Sequence, residues 1–214
     1  MTLPNPNLLV VEDTDLKGVV IGLMKHYINW PPEKDDRPAE IIVGNSASEI
    51  LKPAELSTCL KSSGVKTFGI VIDAEDNFVG HWVRIREFCE RYFPPAPVEF
   101  PQGGLIVSND KQRFGAWIMP DNASSGMVET FCHGLVPGEA KELWEFASTC
   151  IEGAKEKGAN YKAVHVQKAQ IHTWLAWQDP PGERMGIALT RKILRPDVHC
   201  AVTFAKWFRE LYQV

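Results

Sequence analysis

Apolar residues fall along the first ninety positions in two alternating rhythms. Asn7–Val11 (NLLVV), Ala39–Val43 (AEIIV) and Val65–Ile72 (VKTFGIVI) are short runs with the length and β-branched content of buried strands. Between them, apolar positions recur every three or four residues. Leu16, Val19, Val20, Leu23, Met24 and Tyr27 mark a helix from Thr14 to about Asn29, with Thr14 as its N-cap and Pro31-Pro32 as its stop. A second helical stretch runs to Lys61 with a break at Pro53. A third spans Asn77–Phe93 and carries Phe78, Val79, Trp82, Ile85, Phe88 and Cys89. Strand and helix in alternation, with short connections, predict an α/β fold: a mostly parallel sheet flanked by helices.

Pro94-Pro95-Ala96-Pro97 breaks this rhythm. Two short strands follow, Leu105–Ser108 and Phe114–Met119, turned about Asn109-Asp110-Lys111, and they predict a β-hairpin insertion. Helical patterns then cover Met127–Leu135, Glu139–Lys157, Val164–Trp177 and Val202–Tyr212, with a loop at Asp179–Gly182. The chain reads as one domain over 1–214. Residues 1–93 form its βαβαβα core, 94–124 the hairpin and an acidic loop, and 125–214 a helical C-terminal part. Trp174 and Trp177 share a face with Ile171, and Trp207, Phe208, Leu211 and Tyr212 form a second stripe. Both are expected to pack into the core.

At 214 residues, 44% hydrophobic and 23% charged, the composition is that of a globular protein. The apolar runs are strand-sized, and the N-terminus has neither a basic start nor an apolar core. These features predict a cytoplasmic protein with no membrane association. Five scattered cysteines, 59, 89, 132, 150 and 200, never pair as CxxC and are expected to be thiols. The net charge of −4 conceals an asymmetry. Residues 1–150 carry 13 basic and 21 acidic side chains, whereas residues 151–214 carry 10 and 6. An acidic front half disfavours nonspecific coating of DNA; it suits a site for divalent cations, with the basic part facing an anionic ligand.

In a parallel sheet ligands gather at the carboxyl ends of the strands. Three strands end there in acids: Glu12-Asp13-Thr14-Asp15, Asp73-Ala74-Glu75-Asp76 and Pro120-Asp121-Asn122. Carboxylates with an open side are what Mg²⁺ or Mn²⁺ requires, although helix capping alone accounts for Asp13 and Asp15. Zinc has no support, because His133, His165 and His172 fit no ligand spacing. No P-loop is present; Gly44-Asn45-Ser46 offers only a turn whose N–H groups could face a phosphate. Arg184, Arg191, Lys192 and Arg195 form the densest basic cluster, the candidate nucleic-acid contact.

A glutamate directly after the first strand (LLVVEDTD) and an acidic D-x-D-like motif two βα units later (GIVIDAED) resemble the pattern of Toprim domains. The chain looks most similar to a small Toprim-related bacterial family of uncharacterised function, akin to the Toprim domains of overcoming-lysogenization-defect nucleases. The segments RFGAWIMPDN, SGMVETF, KAQIHTWLAW and QDPPGERMG carry the likeness, which extends from about residue 8 to residue 208.

The resemblance implies a Toprim-like fold and a role for particular residues. Glu12 matches the Toprim glutamate, a metal ligand or general acid/base. Asp73 matches the first acid of D-x-D. Glu75 stands at the second position, where it departs from the motif, and Asp76 competes with it. Glu129 is similar to the extra metal-holding glutamate of the nuclease branch. Lys168 resembles that branch's late lysine, which stabilises charge on a phosphate. Asp121 is a further metal candidate at the same edge. The usual glycine after the glutamate is Asp13 here, which argues against topoisomerase-like chemistry. The expected function is therefore Mg- or Mn-dependent phosphodiester cleavage on nucleic acid or another phosphoester, in a chain that could form oligomers. The alternative is a non-catalytic scaffold that binds a phosphorylated ligand or a protein partner such as an ATPase.

Overall fold

The computed structural model describes residues 5–33 and 36–214. Strand β1 (Asn7–Val11) leads into helix α1 (Thr14–Met24), β2 (Glu40–Val43), α2 (Ala47–Ile50), α3 (Pro53–Lys61), β3 (Thr67–Asp73) and α4 (Phe78–Tyr92). Then come β4 (Leu105–Ser108), β5 (Arg113–Met119), α5 (Val128–His133), α6 (Lys141–Glu156), α7 (Val166–Leu175), α8 (Met185–Thr190) and α9 (His199–Tyr212). The expected α/β fold is present. The sheet has five strands in the order β2-β1-β3-β5-β4. Strands β2, β1, β3 and β5 pair in parallel, and β4 is antiparallel at one edge. The hairpin thus completes the sheet, since β5 pairs with β3 along its whole length, from Thr67–Arg113 to Asp73–Met119.

Alternation along each strand divides the core. Leu9, Val11, Val71, Trp117 and Met119 face α1 and the C-terminal helices. Leu8, Val10, Phe68, Ile70, Ile72, Phe114 and Ile118 face α2, α3 and α4. Gly69 and Gly115 lie opposite each other in register. A Cβ on either would fall 2.5 Å from the Tyr212 hydroxyl or 2.6 Å from Leu211. These two glycines therefore make the groove in which α9 rests, and the Tyr212 hydroxyl donates to Leu8 O at 2.9 Å.

Several local expectations need correction. The N-cap of α1 is Asp13, not Thr14, and its carboxylate accepts the Leu16 N–H at 2.8 Å. Helix α1 ends at Met24 and gives way to turns through Ile28. The break at Pro53 is real: proline opens α3, where its missing N–H costs nothing. Trp174, Trp207, Phe208, Leu211 and Tyr212 are buried as expected, but Trp177 lies beyond the end of α7 and is 40% exposed against Phe146. Helix α8 has no counterpart in the sequence reading. Among the described residues, no helix is long and apolar enough to cross a membrane.

Candidate functional site

Because β1, β3 and β5 run in parallel, their carboxyl ends share one edge. Asp73 is the last residue of β3 and is only 7% exposed. By alternation it points with Val71 toward the α1–α5 face, and its Oδ1 accepts the Val128 N–H at the start of α5 at 2.9 Å. Glu12 directly follows Val11, the last residue of β1, and the Ala47 backbone at the start of α2 acts to lower its pKa. Its Oε2 also accepts the Asp73 N–H at 3.0 Å. In the Gly44-Asn45-Ser46 turn that could have faced a phosphate, the Gly44 N–H is taken by Val11 O at 2.8 Å.

Glu129, in the first turn of α5, is 2% exposed. Lys168 of α7 reaches it with an Nζ–Oε1 distance of 3.0 Å and meets Asp15 of α1 at 3.4 Å. A contact between Thr130 and Gln167 also ties α5 to α7. Three helices thereby converge on one ammonium group.

The electrostatics follow from burial and crowding. Burial pushes the Asp73 carboxyl up to about 8, and the negative charges of Glu12, Glu129 and Asp13 add to the shift against the Val128 hydrogen bond. Glu12 is also raised, chiefly by burial; the N–H groups of Asp73 and Ala47 oppose this, while Glu75 and Asp13 reinforce it. For Lys168, burial pulls the ammonium down, and its contacts with Glu129 and Asp15 more than offset that, leaving it raised.

Both competing acids bear on His81, and Glu75 bears on Glu12 as well. Glu75 has a left-handed backbone (φ 50°) and exchanges two 2.8 Å hydrogen bonds with Gly126, pinning the loop after β3 to the segment before α5. Asp121 stands apart. Its carboxylate accepts from Ala123 N–H, Ser124 N–H and the Ser124 hydroxyl, so it caps its own exposed loop. Among the described residues, no three carboxylate, imidazole or thiol groups are gathered closely enough to share a metal ion. Each carboxylate already has its own partner: Glu12 the Asp73 N–H, Asp73 the Val128 N–H, and Glu129 the Lys168 ammonium.

The basic cluster is only partly joined to this edge. Arg184 lines a cleft of about 180 Å³ together with Thr14 and Asp15. Arg191 pairs with Glu183 at 3.2 Å and Arg195 with Asp197 at 2.7 Å, while Lys192 is exposed in a left-handed turn. Sequence reasoning missed His81, which is 6% exposed with neither ring nitrogen paired among the described residues. Burial and then Arg84 lower its pKa, against Glu75 and Asp76. Its place on the buried face of α4, four residues before Ile85, was the available signal.

Comparison with curated proteins found no match, and comparison with solved structures found none. From residue 6 to residue 213 the sequence matches the family described as "Protein of unknown function (DUF3226)", and the chain belongs to that family.

Proposed function

We propose that this protein is a Toprim-like, Mg- or Mn-dependent phosphodiester-cleaving enzyme acting on nucleic acid or another phosphoester. The observation that carries the reading is the meeting of Glu12 and Asp73 at one sheet edge, joined by the 3.0 Å Asp73 N–H bond, with Glu129 and Lys168 beside them. The motif likeness of LLVVEDTD and GIVIDAED supports it. The donor type is the one a hard cation prefers: the groups are carboxylates, and burial, reinforced by the charges of Glu12 and Glu129, holds a proton on Asp73 that a cation would replace. These carboxylates are not gathered around one point among the described residues, so Glu12, Asp73 and Glu75 would have to close on the ion, with Glu129 released from Lys168. Bound there, a divalent ion would polarise a phosphate and acidify water. Lys168, once released from Glu129, would face developing charge on the phosphate, and Arg184 would receive the flanking anion.

A second reading, a non-catalytic scaffold for a phosphorylated ligand or a partner such as an ATPase, is favoured by one observation. The Lys168 ammonium already neutralises Glu129 and Asp15, as a bound cation would.

Calorimetric titration of Mn²⁺ and Mg²⁺ into the wild type and Asp73→Asn separates the two. The enzyme reading expects saturable binding that is lost in the variant. It also expects affinity to rise with pH up to about 8, as Asp73 gives up its proton. Metal-dependent cleavage of single-stranded DNA, duplex DNA or RNA, abolished by Glu12→Gln, completes it. Equal metal binding by both proteins, or none, would leave the scaffold.

A further inference from the structure

Away from the acidic edge, the α2–α3 segment and α4 enclose a cleft of about 610 Å³, within the range of small-molecule sites. Its floor is apolar: Leu51 and Leu56 are each 1% exposed and Phe88 is 5% exposed. Arg84 and Arg91 of α4 stand at its rim, and neither makes an ion pair among the described residues. Lys52 also lines the cleft but is held by Glu49 at 2.6 Å, and Glu87 is the one acid in the lining. The wall carries an aromatic ring, Tyr92, with the Arg91 guanidinium 5.5 Å from its centroid and Lys61 5.9 Å away. The Ser57 and Tyr92 hydroxyls lie 2.8 Å apart and supply polar contacts. Helix α3 opens into the cleft at Lys52 and Pro53 without a side-chain cap, so its first N–H groups lack a side-chain partner.

We propose that this cleft is a binding site for a small organic anion, a phosphate or carboxylate carried on a compact aromatic body. The apolar floor takes the ring, and the two unpaired guanidinium groups and the α3 N-terminus take the anion. The site is separate from the acidic edge. Helix α2 lies between the two, because Ser48 lines the cleft while the neighbouring Ala47 backbone bears on the Glu12 pKa.

The test uses matched probes on the full chain: phenyl phosphate and benzoate carry both features, inorganic phosphate only the anion, and phenol only the ring. Calorimetry is expected to show one saturable site for phenyl phosphate, benzoate or both, about tenfold tighter than for inorganic phosphate or phenol. Which of the two binds assigns the anion. Arg84→Gln/Arg91→Gln should weaken that binding about tenfold and leave phenol unchanged. Asp73→Asn should leave all four unchanged, which keeps this result independent of the metal site. Methyl chemical shifts should move at Leu51 and Leu56. Binding of neither probe, equal binding of inorganic phosphate, insensitivity to the double arginine variant, or shifts centred on Val11 and Val71 would each overturn the proposal. If the double variant loses its helical circular dichroism, Arg91→Gln alone carries the comparison.

Discussion

The two faces of the sheet are built on different terms. On the α1 side, Trp117, Trp174 and Trp207 are each 1% exposed, and α1 meets α8 backbone to backbone. On the α4 side the core is a phenylalanine cluster. Phe114 lies 5.4 Å from Phe68, 4.9 Å from Phe88 and 5.8 Å from Phe93, and beyond it the helices part to leave the 610 Å³ cleft. The candidate charges follow this division. Asp15, Glu129 and Lys168 all come from the tightly packed side, where small displacements are resisted. From the open side, the Ala47 backbone bears on Glu12, beside the 3.0 Å bond from the Asp73 N–H. A rigid face can hold buried like charges against their repulsion, and a looser one can admit a ligand.

The largest effect should come from breaking the tight face. A Cβ at Gly22 would sit 2.1 Å from Gly186 O, against backbone that cannot swing aside. Gly22→Ala should therefore cost about 3 kcal/mol or more in urea denaturation. Gly153→Ala, with nothing within 4 Å of its Cβ in α6, should be neutral or stabilise by about 0.5–1 kcal/mol. Equal small effects would mean that α1 and α8 can slide apart, and the contrast between the faces would fail.

That contact also marks where the sequence stopped being readable. Helix α8 has six residues and begins Met185-Gly186, so local propensity argues against it. It exists because Gly186 lets it lie on Gly18 and Gly22, a tertiary cause invisible in a window of sequence. The βαβαβα core was legible because buried strands and amphipathic helices have distinct periods, and strand-end acids follow from the same periods. Their mutual arrangement was less so. Glu12 and Asp73 share the edge as expected, but backbone N–H groups, those of Asp73 and Val128, claim an oxygen of each carboxylate. Asp121 ends a parallel strand like the others, yet the two N–H groups and a hydroxyl of its own loop claim its carboxylate. Lys168 could be tied to Glu129 only through the family resemblance, because 39 residues separate them.

The next effect tests whether the tight face holds Asp73 against its neighbours. Its folded pKa, about 8, lies above the ordinary value of 3.8, so the folded state prefers the protonated form. The contribution of Asp73 to stability is thus fullest below pH ~4 and is lost as pH rises through about 8. Asp73→Asn keeps an oxygen for the Val128 N–H and removes the charge. It should match the wild type near pH 4 and exceed it at pH 9 in both urea denaturation and Tm, with the gap opening as pH rises. A pH-independent difference would place Asp73 in a solvated, relaxed setting.

The smallest effect belongs to the open face. Tyr92 joins α4 to α3 through one 2.8 Å hydroxyl contact with Ser57, and that contact also draws the phenol below its usual pKa, with Arg91 and Lys61 assisting. Helix α4 is anchored independently by Ile85, Phe88 and Cys89. Tyr92→Phe, which removes one hydrogen bond, should therefore have the smallest effect of the three on urea denaturation. A loss of about 3 kcal/mol would show that α3 and α4 are locked across the cleft as α1 and α8 are across their glycines. In that case a ligand entering between them would have to displace packed structure, and the open face would be open only in outline.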